Sequence, residues 1–400
     1  MDRILEYISA EPFDDYAIKE YINKNGIEEI CDWTEKESIC ISIEDLAEYI
    51  DKCLLIEYDE PLAMGAFYDK EGIYYENRFP GLTVECSEEL LQDLLIETPM
   101  EIRDFIAGFL SNEYWTSRDL YSPSTGGILI ESWDAFTLLI KHKVRFMFFS
   151  KQLERKKPSY EDYIDPYSIL DEIGEGIKKH KLLTTYKPET LKIFRARQHS
   201  NNKELKNVID LGSPPENAAQ ANRLSPAGIP MFYCAFDSKT AIIEILDFGK
   251  TNETITVGEF TNLKTLNLID FSKLEWISIF DEERRHLRES ALLLRKFVSD
   301  LSSPISNDGS QHIEYVPTQV VTEYLKNSFT LDGEIEIHGM IYPSSKRQSK
   351  SCIVLFFNQD HLTEDNVDKL KYLSLNTSKI KERCVKDISV SISYDKYFRL

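Results

Sequence analysis

The sequence predicts an α+β protein: a mostly helical first part followed by a part in which short strands and helices alternate. Up to about residue 150, apolar residues recur at helical spacing with charged residues on the opposite face. From residue 191 onward, apolar runs of strand length stand between helical stretches and Gly, Pro and Ser turns. With 400 residues, 42% hydrophobic and 12% aromatic, the chain can bury one large or two ordinary cores.

Charge separates the same two parts, since residues 1–140 carry −23 and residues 141–400 carry +2 of the total −21. There is no basic stripe to displace counterions, so nucleic acid is not expected as a partner. The near-neutral second part suits an anionic small molecule. No window has the run of apolar residues needed to span a bilayer, and MDRILEYISAEPFDD is acidic where a signal peptide would be basic. A cytoplasmic protein without membrane partners is expected. Cys31, Cys40, Cys53, Cys86, Cys234, Cys352 and Cys384 are odd in number and widely spread, which predicts reduced thiols.

Residues 13–26 read as a short amphipathic helix ended by Asn25 and Gly26, and Ser42, with Glu44 and Asp45 behind it, starts a second. Cys31 and Cys40 bracket a turn between them, but the tight C-x-x-C spacing and a full set of four ligands are missing, so no metal is expected. Residues 83–112 and 130–150 read as bundle helices. His142 lies before Arg145, at a helix end, and reads as a surface residue complementing the helix dipole. Residues 151–190 behave as a linker, with clustered Lys and Arg, prolines at 158, 166 and 188, and one helical stretch over 167–181. The boundary falls there, giving domains 1–180 and 181–400.

In the second domain LKIFRARQH (191–199) alternates as a strand, placing Arg195 and Arg197 on one face, either as a solvent-facing edge or as cations for an anion. Residues 201–220 form a polar loop long enough to lie over a site. Asn222 and Arg223 lead through Ser225, Pro226, Ala227 and Gly228 into an apolar strand over 231–236. A helix then starts at Asp237 or Ser238 and carries Glu244 among Ile243, Ile245 and Leu246. An unpaired carboxylate at a buried helical position costs roughly several kcal/mol in desolvation. Glu244 is therefore paired with an Arg, lies on a polar edge, or serves catalysis. Two β-like runs over 254–271, an amphipathic helix over 282–301, a helix begun by Pro317 or Thr318, and two strands around Tyr342-Pro343-Ser344-Ser345 complete the chain. No G-x-S-x-G elbow surrounds Ser344, so hydrogen bonding to phosphate or ribose suits its hydroxyl better than nucleophilic attack. No G-x-G-x-x-G turn marks a reversible dinucleotide site either.

The loop Arg223, the G-x-P-x-x-Y of Gly228, Pro230 and Tyr233, and the T-A-x-x-E of Thr240, Ala241 and Glu244 resemble the RES family, named for its Arg, Glu and Ser. Phe194-Arg195 resembles the family's first strand, and Ser344 or Ser345 stands where its serine belongs. The start of the chain resembles the HEPN/RES N-terminal domain, with a degenerate Cys knuckle and without the R-x(4-6)-H motif of HEPN ribonucleases.

The resemblance implies a twisted mixed sheet similar to that of ADP-ribosyltransferases. It also implies a toxin-type enzyme that destroys NAD by cleaving the nicotinamide–ribose bond, by phosphorolysis in characterised members. NAD and inorganic phosphate are then substrates, with no further cofactor. A cognate antitoxin and a homo-oligomer are the protein partners to look for, in growth arrest or phage defence. Glu244, Arg223 and Ser344 become the catalytic candidates, and Arg195, Arg197, Tyr233, Asn222 and Ser345 the substrate-binding ones. A protein- or nucleic-acid-modifying ADP-ribosyltransferase and a non-catalytic HEPN-type interaction protein are the alternatives.

Overall fold

The computed structural model describes residues 5–63, 67–68, 74–75, 84–117, 125–146, 168–303, 309–331 and 335–388. They fall into two compact units. The first holds the described residues of Met1–Ser132 and Glu275–Leu292, the second those of Trp133–Lys157, Asp165–Leu274 and Leu293–Leu400. The expected boundary at 180/181 lies inside the second unit. Among the described residues no helix is long and apolar enough to cross a membrane.

The first unit is mainly helical. Asp15 caps the helix Tyr16–Asn25 by accepting hydrogen bonds from Ala17 N and Ile18 N, and Ser42 caps Ile43–Glu57 by accepting one from Asp45 N. The expected start at Ser42 and the expected end at Asn25-Gly26 are realised, while the first helix begins at Tyr16 rather than at 13. The span 83–112, expected as helix, contains two, Ser87–Leu94 and Met100–Ala107, because Pro99 cannot continue the first. Ile18, Ile22, Leu46, Ile50, Leu91 and Trp115 are fully or nearly fully buried in one core. Residues 275–292, of which the sequence predicts only 282–292, as part of an amphipathic helix, belong to this unit: the Tyr16 hydroxyl donates to Asp281 at 2.7 Å and the Tyr49 hydroxyl to the Phe280 carbonyl. Cys31 and Cys40 are buried thiols, and among the described residues no group of three or more His, Cys, Asp or Glu could hold a metal ion. His142 ends the helix Thr125–His142 and is exposed; of the rest of the expected helix over 130–150, residues 147–150 lie outside the described residues.

The second unit is built on a mixed sheet curled into a half-barrel. Its strands are β1 (Leu183–Tyr186), β2 (Lys192–Ser200), β3 (Phe232–Ala235), β4 (Glu253–Asn262), β5 (Leu266–Asp270), β6 (Gly339–Pro343), β7 (Ser351–Leu355), β8 (Leu362–Glu364), β9 (Leu373–Leu375) and β10 (Lys381–Cys384). They stand in the order β8-β9-β4-β2-β3-β7-β6-β5-β1, with β10 also paired to β4. The longest ladder is the antiparallel pair β2/β4, in register from Lys192 opposite Thr261 to Ser200 opposite Glu253. Only β5/β6 and β8/β9 run parallel among the described pairs of this sheet. Helices α1 (Ser168–Lys179), α2 (Ser238–Ile245), α3 (Arg285–Ser302) and α4 (Val316–Asn327) accompany the strands, α3 contributing residues to both units.

Period-2 alternation sorts the strand residues to two faces. Ile193, Phe232, Phe260, Ile341, Ile353 and Leu375 fill one core, where the Phe232 and Phe260 rings meet edge to face with centroids 4.8 Å apart. Ala196, Ala235, Ile255 and Val257 pack under Ala241, Ile242 and Leu246 on the other face. The small alanines of β2 and β3 let α2 lie close to the sheet. Gly339 in β6 sets an equally tight contact, since a Cβ there would stand 2.2 Å from the Val354 carbonyl oxygen and 2.9 Å from the Leu355 Cα, both backbone atoms. Gly339→Ala should therefore force β6 from β7 and lower stability by about 1–3 kcal/mol. Urea unfolding of the variant against the parent chain checks this, and an unchanged midpoint would refute the close approach.

Candidate active site

A cavity of about 330 Å³ opens in the second unit where β2 and β3, helix α2, the 214–231 loop and the facing ends of β6 and β7 come together. Arg195, Arg223, Tyr233, Glu244, Tyr315, Tyr342 and Cys352 are on its wall. The sequence places Glu244 here for local reasons: Asp237 caps α2 by accepting from Thr240 N at 2.8 Å, and two helical turns carry the chain to the carboxylate. Burial pushes the Asp237 carboxyl up, but the two hydrogen bonds from Thr240 and the Arg347 cation outweigh it and hold it below its ordinary value.

Glu244 is half-buried in the last turn of α2, beside an exposed Ile245 and ahead of the buried Leu246. Of the neighbours expected to be buried, Ile245 is exposed because the helix ends there, and the polar-edge reading fits the half-buried position of Glu244. Among the described residues no ion pair joins Glu244 to an Arg or Lys, which removes the Arg-paired reading. Its partner is Ser344, whose hydroxyl donates to Glu244 Oε1. That direction follows from the other contacts of Ser344 Oγ, which accepts the Arg347 N–H at 2.9 Å and the Lys346 N–H at 3.3 Å. Neither serine is on the cavity wall, but Ser345 is exposed while Ser344 reaches the carboxylate, so of the two the structure brings Ser344 to Glu244. The Cys352 thiol is pushed up by burial and by the Glu244 charge beside it.

The three arginines are placed differently. Arg195 points into the cavity, donates from NH1 to the Tyr233 carbonyl at 2.9 Å and stacks over the Phe232 ring at 4.9 Å. Its Nε is buried and makes no hydrogen bond among the described residues. Burial, with the Arg197 cation in second place, pulls Arg195 down to about 10, which leaves it charged at neutral pH. Arg197 is not on the cavity wall. It donates to the Gly212 carbonyl at 3.1 Å and so braces the 201–215 loop, with burial lowering its pKa and Asp210 partly offsetting that. Arg223 lines the cavity, but its NH1 donates to the carbonyls of Leu301 (2.9 Å) and Ser303 at the end of α3, and its guanidinium lies 6.0 Å from the Tyr315 ring centre.

Tyr233 turns its hydroxyl to Ser225 at 2.8 Å, and burial pushes that phenol up despite the hydrogen bond. Asn222 is exposed and lines the cavity, and its main chain shapes the loop by pairing with Ser225 and accepting from Gln319 Nε2 at 2.8 Å. Tyr315, Tyr342, Lys346 and Arg347 were not singled out from the sequence. Tyr342 and Arg347 flank the Pro-Ser-Ser turn, but nothing in their spacing shows that the loop after β6 folds back on α2.

The second unit is thus a mixed half-barrel whose cavity wall carries one carboxylate and two arginines. Residues 24–154 match the HEPN/RES N-terminal domain 1 and residues 192–376 match the RES domain, so the chain contains both. These domains point to a toxin-like enzymatic role. No curated protein and no solved structure matches the chain.

Because Arg223 already serves main-chain acceptors at the end of α3, Arg223→Ala should lower stability by about 1 kcal/mol as well as affecting any ligand. Arg223→Lys should recover part of that, since an ammonium lacks the forked donor geometry. Thermal unfolding of both variants checks this, and an unchanged melting temperature in Arg223→Ala would leave the residue a ligand contact alone.

Proposed function

We propose that the domain assigned to residues 181–400 cleaves the nicotinamide–ribose bond of NAD and transfers the ADP-ribosyl group to inorganic phosphate. The observation that carries this reading is the Glu244 carboxylate, held by the Ser344 hydroxyl and by no cation among the described residues, on the wall of a cavity that also holds Arg195 and Arg223. The bond from the nicotinamide nitrogen to ribose C1 breaks with its electron pair leaving on nicotinamide, whose positive charge is thereby discharged. A phosphate oxygen then bonds to C1, giving nicotinamide and ADP-ribose phosphate. A leaving group that is already cationic needs little acid catalysis, so the main requirement is to stabilise an oxocarbenium-like sugar.

Glu244 meets that requirement by accepting from ribose hydroxyls and offsetting the developing positive charge, as in the ADP-ribosyltransferase arrangement that the fold is proposed to share. The Arg195 guanidinium and the donors of Arg223 not bound to main chain would hold the diphosphate or the attacking phosphate, each charge-assisted contact contributing about 1.5–3 kcal/mol. The Tyr233 ring would stack on nicotinamide and Asn222, on the cavity wall, would contact substrate, while Arg197 and Ser345 act at most through the surrounding loops. The first domain, 1–180, is assigned no catalysis. NAD depletion would arrest growth or serve phage defence in the cytoplasm until a cognate antitoxin restrains it.

Purified protein incubated with NAD, with and without phosphate, should release nicotinamide and, only with phosphate, ADP-ribose phosphate. Labelled protein or nucleic acid instead would move the assignment to a macromolecular ADP-ribosyltransferase, and intact NAD would reject the reading. Glu244→Gln keeps shape and removes charge, so turnover should fall by about two or more orders of magnitude, with KM for NAD changed less. Since no cation is left unpaired by that change, the melting temperature should hold. A Gln variant with normal turnover would take Glu244 out of the mechanism. RNA incubated with the wild-type chain should stay intact. Cleavage lost in His142→Ala would instead place a ribonuclease in the first domain.

A further inference from the structure

Helix α2 is held at both ends by two consecutive residues of a single loop. Lys346 Nζ donates to the Glu244 carbonyl at 2.7 Å, satisfying one of the last main-chain acceptors of the helix with a cation where the helix dipole is negative. The next residue, Arg347, reaches the opposite end, donating from NH1 to Asp237 Oδ1 at 3.0 Å and to Thr240 Oγ1 at 2.7 Å. The loop is closed on itself as well: Ser344 N donates to the Lys350 carbonyl at 2.7 Å and Lys350 N to the Arg347 carbonyl at 3.2 Å, with Ser349 in the left-handed region at φ 58°. Between these anchors Ser344 Oγ accepts the Arg347 N–H at 2.9 Å and gives its own proton to Glu244.

We propose that Arg347 is a positioning residue: its grip on Asp237 and Thr240 fixes the main chain whose N–H orients the Ser344 hydroxyl, and through it the Glu244 carboxylate. The chain of contacts is short and each link is directional. With Arg347 removed, Lys346 still tethers the loop to the helix end, so the loop stays attached while the Arg347 N–H is freed to drift from Ser344 Oγ. Ser344 can then turn its proton elsewhere, and the carboxylate loses the hydroxyl that fixes Oε1, leaving it the weaker Cys352 thiol as a neighbour. The Arg347 and Asp237 side chains remain 23% and 41% exposed, and an ion pair open to solvent to that degree contributes little to global stability. A large effect on turnover with a small effect on melting is therefore the signature of positioning here.

The kinetic part of the test rests on the NAD-cleaving function proposed above; the structural part does not. Arg347→Ala and Arg347→Lys are made in the full chain and in a Ser344→Ala background, with turnover in NAD and phosphate, melting temperature and amide exchange over residues 344–350 measured for each. Arg347→Ala should lower kcat on the order of 10- to 100-fold with KM within about threefold, and Arg347→Lys should recover part of it. In the Ser344→Ala background Arg347→Ala should add little, because the two residues act along one path. Full turnover in Arg347→Ala, or an equal loss in both backgrounds, overturns the proposal. If the wild-type chain leaves NAD intact, the functional reading fails and exchange alone decides: faster exchange of the Arg347 amide in Arg347→Ala supports the latch, and unchanged exchange overturns it.

Discussion

The hydrogen bond from Ser344 to Glu244 joins the loop after β6 to helix α2, and most of the site's geometry follows from it. A carboxylate in a half-buried position must find donors or lose its charge. An arginine partner would satisfy it but would also hold a fixed positive charge against it. A hydroxyl satisfies one oxygen and leaves the negative charge uncompensated by any cation among the described residues. The carboxylate then keeps capacity for donors and charge that arrive with a substrate. The sheet supports this by bringing β3 beside β7 and β7 beside β6, so that residues far apart in sequence, 237–245 and 344–347, face one another.

The arginines complete the electrostatic pattern by the same rule. Arg195 is enclosed without a carboxylate partner among the described residues, balanced only by a carbonyl, an aromatic face and an open Nε. Burying a guanidinium this way is unfavourable for folding, which appears as the lowering of its pKa by desolvation. Arg223 is similar in kind: carbonyls at the end of α3 take its NH1, and no acid neutralises it among the described residues. Cations and carboxylate thus share a cavity wall without cancelling each other. Sites that depart from the most stable arrangement in this way are where binding energy is later recovered.

Much of this was legible in the sequence where the signal was local. Ser42 and Asp237 each cap the helix they precede, and the alternation of LKIFRARQH puts Ile193, Arg195 and Arg197 on one face of β2. The two runs of 254–271 became β4 and β5, and the runs around Tyr342 became β6 and β7. What local pattern could not reveal was pairing at long range. Arg195 and Arg197 sit two residues apart on one face, yet only Arg195 reaches the cavity, because the 201–215 loop returns to present Gly212 to Arg197. The 275–292 stretch, which reads as an ordinary amphipathic helix start, belongs with the first unit through Tyr16 and Tyr49.

The misjudged surround of Glu244 shows why such a residue was visible at all. Ile243, Ile245 and Leu246 suggested burial on every side, and the carboxylate looked out of place among them. In the fold, α2 stops at Ile245, so residues 243–246 do not continue as one helical face. Ile242 and Leu246 pack on the sheet, Ile245 is exposed, and Glu244 faces the cavity. The short helix thereby places a charged residue where its last turn meets both a cavity and a capping loop. A longer α2 would carry the Glu244 carbonyl into the helical ladder, leaving Lys346 no open acceptor at that end. The length of α2, the cationic cap and the hydroxyl partner of the carboxylate are therefore one constraint: each is possible only because the helix ends where it does.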